Sequence, residues 1–245
     1  MSTFGLIGYP LTHSFSKRYF TEKFEREAIS DVNYALFSLE NIGMLDALLK
    51  EQPDLRGLNV TIPYKIAVLP YIEELDSAAA AIGAVNCLKI DPDTGMIKGY
   101  NTDAYGFEAS LKPFLNAHHQ KALIFGDGGA AQAVKYVLNQ LDIPFLSVVR
   151  KSQEGAIGYT DLNETLLAQY TILINTTPLG TFPEVDACPD IPYAYLGTEH
   201  LAYDLIYNPE ETLFLRQARL HGAQTKNGLE MLTLQAEKSW EIWNS

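Results

Sequence analysis

The chain has 245 residues, enough for one large domain or two smaller ones with cores that need no disulfide staples. Apolar residues make up 47% and charged residues 20%, which excludes a disordered chain. Lys plus Arg is 18 against 30 Asp plus Glu, a net charge of −12, which argues against a nucleic-acid partner but leaves room for a local basic pocket.

The two cysteines, Cys87 and Cys188, lie far apart without metal-type spacing and suit a reducing compartment. The N-terminal segment lacks a basic-then-apolar leader pattern, and no run approaches the ~20 apolar residues of a membrane helix. A cytoplasmic protein without a membrane partner is the expectation, either monomer or homodimer.

The first hundred residues alternate short apolar runs with helical patterns. Residues 4–8 read as a strand ending in the turn Gly8-Tyr9-Pro10. Phe20, Phe24 and Ala28 recur at four-residue spacing and predict an amphipathic helix. Residues 32–39 read as a second strand, after which Asn41 is placed to cap a helix carrying Ile42, Leu45 and Leu49. Residues 58–62 are a third strand, stopped by Pro63. Strong helix formers predict a helix over 73–81, closed by Gly83. Residues 84–90 and 96–100 flank Asp91-Pro92-Asp93-Thr94-Gly95, a hairpin signature in which Gly95 takes positive φ.

Residues 121–125 form a short, mostly apolar run that enters Gly126-Asp127-Gly128-Gly129. A helix follows with Ala130, Ala133, Val134, Val137, Leu138 and Leu141 on one face, and Ile143-Pro144 ends it. Residues 145–149, 171–175 and 201–205 are further buried strands. From Lys226 the chain reads as one helix with Leu229, Leu232, Ala236 and Trp240. Strands alternating with helices predict an α/β chain with a mostly parallel sheet covered on both faces.

The segment from Gly126 to Ala131 fits G-x-G-x-x-[G/A] between a predicted strand and a periodic helix. Gly126 permits the tight turn, and Gly128 lets a pyrophosphate approach the backbone. The small Ala131 lets helix and strand pack closely, and the helix N-terminus attracts the anion. An NAD site usually carries an acid about 20 residues further on. Here the next strand ends in Val149-Arg150-Lys151, and two cations favour the 2′-phosphate of NADP. The alternative is a solvated basic strand end.

In the first half, Ser14 and Ser16 stand two residues apart in His13-Ser14-Phe15-Ser16. In an extended stretch they would face the same way and suit a carboxylate; alternatively Ser16 caps the helix that follows. Asn59 and Thr61 alternate with apolar residues on the strand before Pro63, and Lys65 follows. Polar groups at a strand end commonly face the binding crevice of an α/β protein, although most lysines are surface cations. Asn86 starts a strand, and Asn101 and Asp103 follow another, with Asp103 placed to cap a helix. Adjacent His118 and His119 do not converge as ligands and are expected to be exposed loop residues.

Taken in order, these segments resemble the shikimate dehydrogenase family. The matching stretches are HSFS (13–16), NVTIPYK (59–65), AIGAVN (81–86), GYNTD (99–103), GDGGAA (126–131), INTTPLG (174–180), DLIYNP (204–209) and NGLEMLTLQA (227–236). The resemblance implies an oxidoreductase acting on a CH–OH group in aromatic amino acid (chorismate) biosynthesis. It would reduce 3-dehydroshikimate to shikimate reversibly with NADPH. It implies an α/β substrate domain over 1–103, a Rossmann-like, doubly wound NADP domain over 104–225, and a final helix over 226–245 returning to the substrate domain.

By the same resemblance, Ser14 and Ser16 hold the substrate carboxylate, and Thr61, Asn86 and Gln235 bind ring hydroxyls. Lys65 and Asp103 form the catalytic pair, with Tyr207 beside the substrate. Gly126, Gly128, Gly129, Ala130, Arg150, Lys151 and Gly228 serve the cofactor. No metal is required, since an ammonium can polarise the carbonyl oxygen. The chain departs from the family's usual pattern at Lys17, Ala104, Asp127, Val149 and Lys151. Two other functions fit the same motifs: a dual quinate/shikimate dehydrogenase, or a non-catalytic metabolite-binding regulator on this fold.

Overall fold

The computed structural model describes residues 1–11 and 14–245; Thr12 and His13, the latter part of the 13–16 motif, lie outside the described residues. The chain divides into two units, Met1–Thr102 with Ala236–Ser245, and Asp103–Gln235. Among the described residues the strands form two six-stranded sheets.

The first sheet contains β1 (Ser2–Gly8), β2 (Val32–Ser38), β3 (Leu55–Val60), β4 (Glu74–Leu75), β5 (Cys87–Ile90) and β6 (Ile97–Tyr100). Their order is β2-β1-β3-β5-β6-β4. β1 pairs parallel to β2 and β3, whereas β5 runs antiparallel to both β3 and β6. The expected hairpin joins β5 to β6, with Gly95 at φ +73°. Helices α1 (Phe15–Arg26), α2 (Leu45–Glu51), α3 (Tyr64–Ala67) and α4 (Ser77–Ile82) complete this part of the chain.

One cluster buries Ile7, Leu45, Leu58, Val68 and Leu88. A second cluster joins Phe4, Phe20 and Phe24 to Trp243 of α9 (Leu229–Trp243). The Trp243 ring stacks on Phe4 at 4.8 Å, and its Nε1 donates to the Leu88 carbonyl at 2.9 Å. Lys23, buried on α1, pairs with Glu237 at 2.8 Å. Aromatic burial and the Lys23–Glu237 ion pair thus hold the last turns of α9 to this unit.

The second sheet is parallel throughout. It contains β7 (Ala122–Phe125), β8 (Phe145–Val149), β9 (Ala156–Gly158), β10 (Ile172–Asn175), β11 (Leu201–Asp204) and β12 (Gln224–Lys226). The order β12-β11-β10-β7-β8-β9 is that of a doubly wound dinucleotide fold, whose switch point lies between β7 and β10. Every residue of β7 and β10 is buried, as strands covered on both faces require. Helices α5 (Thr102–Leu111), α6 (Gly129–Gln140), α7 (Glu164–Gln169) and α8 (Leu213–Leu220) connect the strands, and α9 closes the chain. Among the described residues no helix is long and apolar enough to cross a membrane.

Several local expectations are corrected. The 73–81 segment begins as edge strand β4, because the Glu73 N–H donates to the Ile97 carbonyl and the Asp76 N–H to the Gly99 carbonyl. That pairing overrides helix propensity, and Asp76 instead caps the shorter α4. Asn41 makes no side-chain cap, since a 3-10 turn over Ile42–Met44 precedes α2. α1 stops at Arg26, and Ala28 lies beyond it at φ +52°. Residues 224–226 pair with β11, so the last helix starts at Leu229 rather than Lys226.

Candidate functional site

In the first unit β3 ends at Val60, and the Thr61 N–H donates to the Ile7 carbonyl at 2.9 Å. Lys65 lies in the single turn of α3, half-buried. Its carbonyl accepts the Val85 N–H at 2.8 Å, and the Asn86 carbonyl accepts the Val60 N–H at 2.8 Å. These bonds bring Thr61, Lys65 and Asn86 together where β3 meets the entry to β5. The Asn86 amide is buried. Its Oδ1 accepts the Thr102 N–H at 2.6 Å, and its Nδ2 donates to Thr102 Oγ1 at 3.0 Å.

The two serines differ from their expected arrangement. Ser14 is extended and Phe15 already helical, so Ser14 caps α1 by accepting from the Lys17 N–H at 3.2 Å. Ser16 is not the cap; it lies in the first turn, and the pair does not share one extended stretch. Ser16 instead lies beside the buried Tyr34 phenol, whose burial holds it well above the ordinary tyrosine range. Tyr34 Oη donates to Asn59 Oδ1 at 2.7 Å.

In the second unit Gly126 leaves β7 at φ +100°, and a Cβ there would lie 2.9 Å from Thr176 Oγ1. Gly128 precedes α6 and Gly129 opens it; a Cβ at either would meet nothing within 4 Å. The loop therefore offers bare backbone to a cavity of about 560 Å³ lined by Gly126, Asp127, Gly128, Val149 and exposed Arg150. Open glycines at a helix N-terminus, with a cation at the next strand end, fit a dinucleotide carrying an extra phosphate. Asp127, the unusual loop acid, is offset by Lys135 Nζ at 2.6 Å and Gln132 Nε2 at 3.2 Å. Gly129, Ala130 and Lys151 do not line this cavity, and Lys151 is exposed.

Tyr159, Thr176 and Thr177 also line the cavity, and no role is expected of them from sequence. The two threonines follow β10 beside the switch point, where polar strand-end residues are a recognisable signal. Thr176 Oγ1 donates to the Phe125 carbonyl at 2.7 Å, and Thr177 Oγ1 to Asn175 Oδ1 at 2.6 Å. Tyr159 lies in a short turn after β9 and carries no such signal.

Asp103 is buried inside the first turn of α5 rather than at its cap, because that helix already begins at Thr102. Gln235 is buried on α9, where its Nε2 donates to the Leu232 carbonyl at 2.8 Å. Tyr207 is 38% exposed in the segment after β11. Gly228 donates its N–H to the Ile206 carbonyl at 3.0 Å, and a Cβ there would lie 2.0 Å from the Leu205 carbonyl oxygen. Asp204 shapes the same segment by accepting the Ile206 N–H at 3.0 Å.

His119 is buried, contrary to the expected exposed pair, because its Nδ1 accepts the Asn116 N–H at 3.0 Å across a tight turn. Burial and the neighbouring His118 lower its pKa. Among the described residues no group of three or more His, Cys, Asp or Glu could hold a metal ion. Cys87 is buried and Cys188 half-buried, and neither forms a disulfide.

Residues 6–88 match the family model described as the shikimate dehydrogenase substrate binding domain. A shikimate dehydrogenase (NADP(+)) of Desulforamulus reducens is 35% identical over 98% of this chain and 88% of its own length. The corresponding protein of Carboxydothermus hydrogenoformans is 38% identical over 98% of this chain and 90% of its own. Among solved structures, shikimate 5-dehydrogenase of Thermus thermophilus, in complex with NADP(H) and shikimate, superposes with a TM-score of 0.86. It is 29% identical and covers 99% of this chain and 93% of that one. With this identity sustained along almost its whole length, the chain belongs to the shikimate dehydrogenase family.

Proposed function

We propose that the protein is an NADP-dependent shikimate dehydrogenase, reversibly reducing 3-dehydroshikimate to shikimate in aromatic amino acid biosynthesis. The observation that carries this reading is the glycine cavity with Arg150 at its rim, on a chain that also gathers Thr61, Lys65 and Asn86 beside β3. We assign residues 1–103 to substrate binding, 104–225 to NADP binding, and 226–245, which carry α9, to a segment returning to the substrate domain.

NADPH, when bound, supplies the hydride that reduces the ketone carbon. Gly126, Gly128, Gly129 and Ala130 would hold its diphosphate, Arg150 and Lys151 its 2′-phosphate, and Gly228 would lie near the nicotinamide. On the substrate side Ser14 and Ser16 donate to the carboxylate, while Thr61, Asn86 and Gln235 bind ring hydroxyls beside Tyr207. Negative charge develops on the carbonyl oxygen during reduction. The Lys65 ammonium stabilises that oxygen and then donates the proton, and in the reverse direction the neutral amine takes it back. Asp103 is the anionic partner that orients the amine and the substrate hydroxyl.

The absence of a general basic character speaks against nucleic acid as a partner, and a cytoplasmic monomer or homodimer agrees with the acidic composition. The test is NADPH formation by purified protein with shikimate, with NAD and quinate run in parallel. Turnover fastest with shikimate and NADP is expected. Turnover with quinate but not shikimate, or binding without turnover, would overturn the assignment.

A further inference from the structure

Five buried polar side chains of the first unit form a continuous hydrogen-bonded line. Tyr34 Oη donates to Asn59 Oδ1 at 2.7 Å, and Asn59 Nδ2 donates to Ser239 Oγ at 3.0 Å. Ser239 Oγ lies 3.2 Å from Thr102 Oγ1, and Thr102 in turn bonds both atoms of the Asn86 amide. None of the five is more than 5% exposed. The line runs from β2 through β3 and the last turns of α9 to the start of α5, and it ends on Asn86.

Direction is set at both ends. The Asn86 carbonyl, which can only accept, holds the Asn59 amide nitrogen on the side of Ser239, so Asn59 Oδ1 is left to accept from the Tyr34 phenol. At the far end, the Thr102 N–H is a fixed donor on Asn86 Oδ1. Flipping the Asn86 amide would set nitrogen against that N–H, donor against donor, in a buried site where an unmade bond is costly. Ser239 supports this clamp from α9, because it meets the Thr102 hydroxyl that the Asn86 amide contacts.

We propose that Ser239 and Thr102 are positioning residues for Asn86, so that α9 sets the orientation of the amide that binds a substrate ring hydroxyl. The inference rests on the shikimate dehydrogenase reading. It places Ser239 one helical turn beyond Gln235, so two substrate-directed functions share one helix.

Ser239→Ala removes one hydroxyl and leaves Asn59 Nδ2 a second acceptor, the Asn86 carbonyl at 3.4 Å. The expected result is a shikimate KM raised about three- to tenfold, the worth of one hydrogen bond. The turnover number should stay within about twofold, since the reacting groups are untouched. NADP affinity, measured by fluorescence titration, should not move, and shikimate affinity from calorimetry should follow KM. Thr102→Val should reproduce the defect, and Thr102→Ser, which keeps the hydroxyl, should restore near-normal KM. A lower melting temperature with KM unchanged would overturn the proposal, as would equal impairment in Thr102→Ser and Thr102→Val. Wild-type protein that does not oxidise shikimate would overturn the functional reading and this inference with it. Active wild type with unaffected variants would overturn the inference alone.

Discussion

Asp204 ends β11 without solvent exposure, and its carboxylate accepts from Thr212 Oγ1 at 2.6 Å, Asn175 Nδ2 at 3.0 Å and the Ile206 N–H at 3.0 Å. Burial outweighs these three donors and pushes the carboxyl up to about 6 from an ordinary 3.8. The folded chain therefore binds this proton more tightly than the unfolded chain. The associated stability is fully present below the unfolded value and is lost as pH rises through about 6. At about 1.4 kcal/mol per unit, the charged form costs ~3 kcal/mol at neutral pH. Asp204→Asn removes that cost while keeping an oxygen for Asn175 and Ile206. Its new amide N–H faces Thr212 Oγ1, whose own proton loses an acceptor at a cost of ~1 kcal/mol. The net expectation is a gain of ~1–2 kcal/mol at neutral pH and a loss of ~1 kcal/mol near pH 4. Urea unfolding followed by far-ultraviolet circular dichroism, for both proteins across that range, measures the difference. A difference that stays flat from about pH 4 to 7, or a variant less stable at neutral pH, would refute the reasoning.

Lys65→Met should reduce turnover by ~10²–10⁴ with an unchanged circular dichroism spectrum, the usual cost of losing a general acid; a rate within tenfold of wild type excludes that role. Arg150→Ala should flatten the preference for NADP over NAD by roughly ten- to a hundredfold, the worth of a charged hydrogen bond, read from KM for both cofactors. Ser14→Ala should lose ~0.5–2 kcal/mol of stability, because Ser14 caps α1, and should also raise the shikimate KM. Loss of stability with KM intact would make Ser14 a cap alone.

What the sequence reveals of this molecule follows the range of the interactions involved. The loop after β7 is legible because its chemistry is local: glycines where backbone must be bare, then a helix whose apolar face repeats through Val134, Val137 and Leu138. The β5–β6 hairpin is legible because Asp91 and Gly95 carry the turn within five residues. The 73–81 segment is misread because its outcome depends on Ile97 and Gly99, a non-local pairing that no helix propensity reports. The serine cap is misplaced by two residues because both hydroxyls satisfy the local rule, and only the backbone angle at Ser14 chooses between them.

The same distinction applies to the candidate site. Lys65, Asn86 and Arg150 sit in short motifs with unusual polar residues at strand ends and can be singled out from those motifs. Tyr34 and Ser239 cannot, because a tyrosine in an apolar strand and a serine in an amphipathic helix look like ordinary filler. Their significance arises when Asn59, 25 residues from one and 180 from the other, stands between them with both amide atoms engaged. A serine at position 239 is compatible with almost any helix. Only burial beside Thr102 turns its single hydroxyl into a constraint on Asn86.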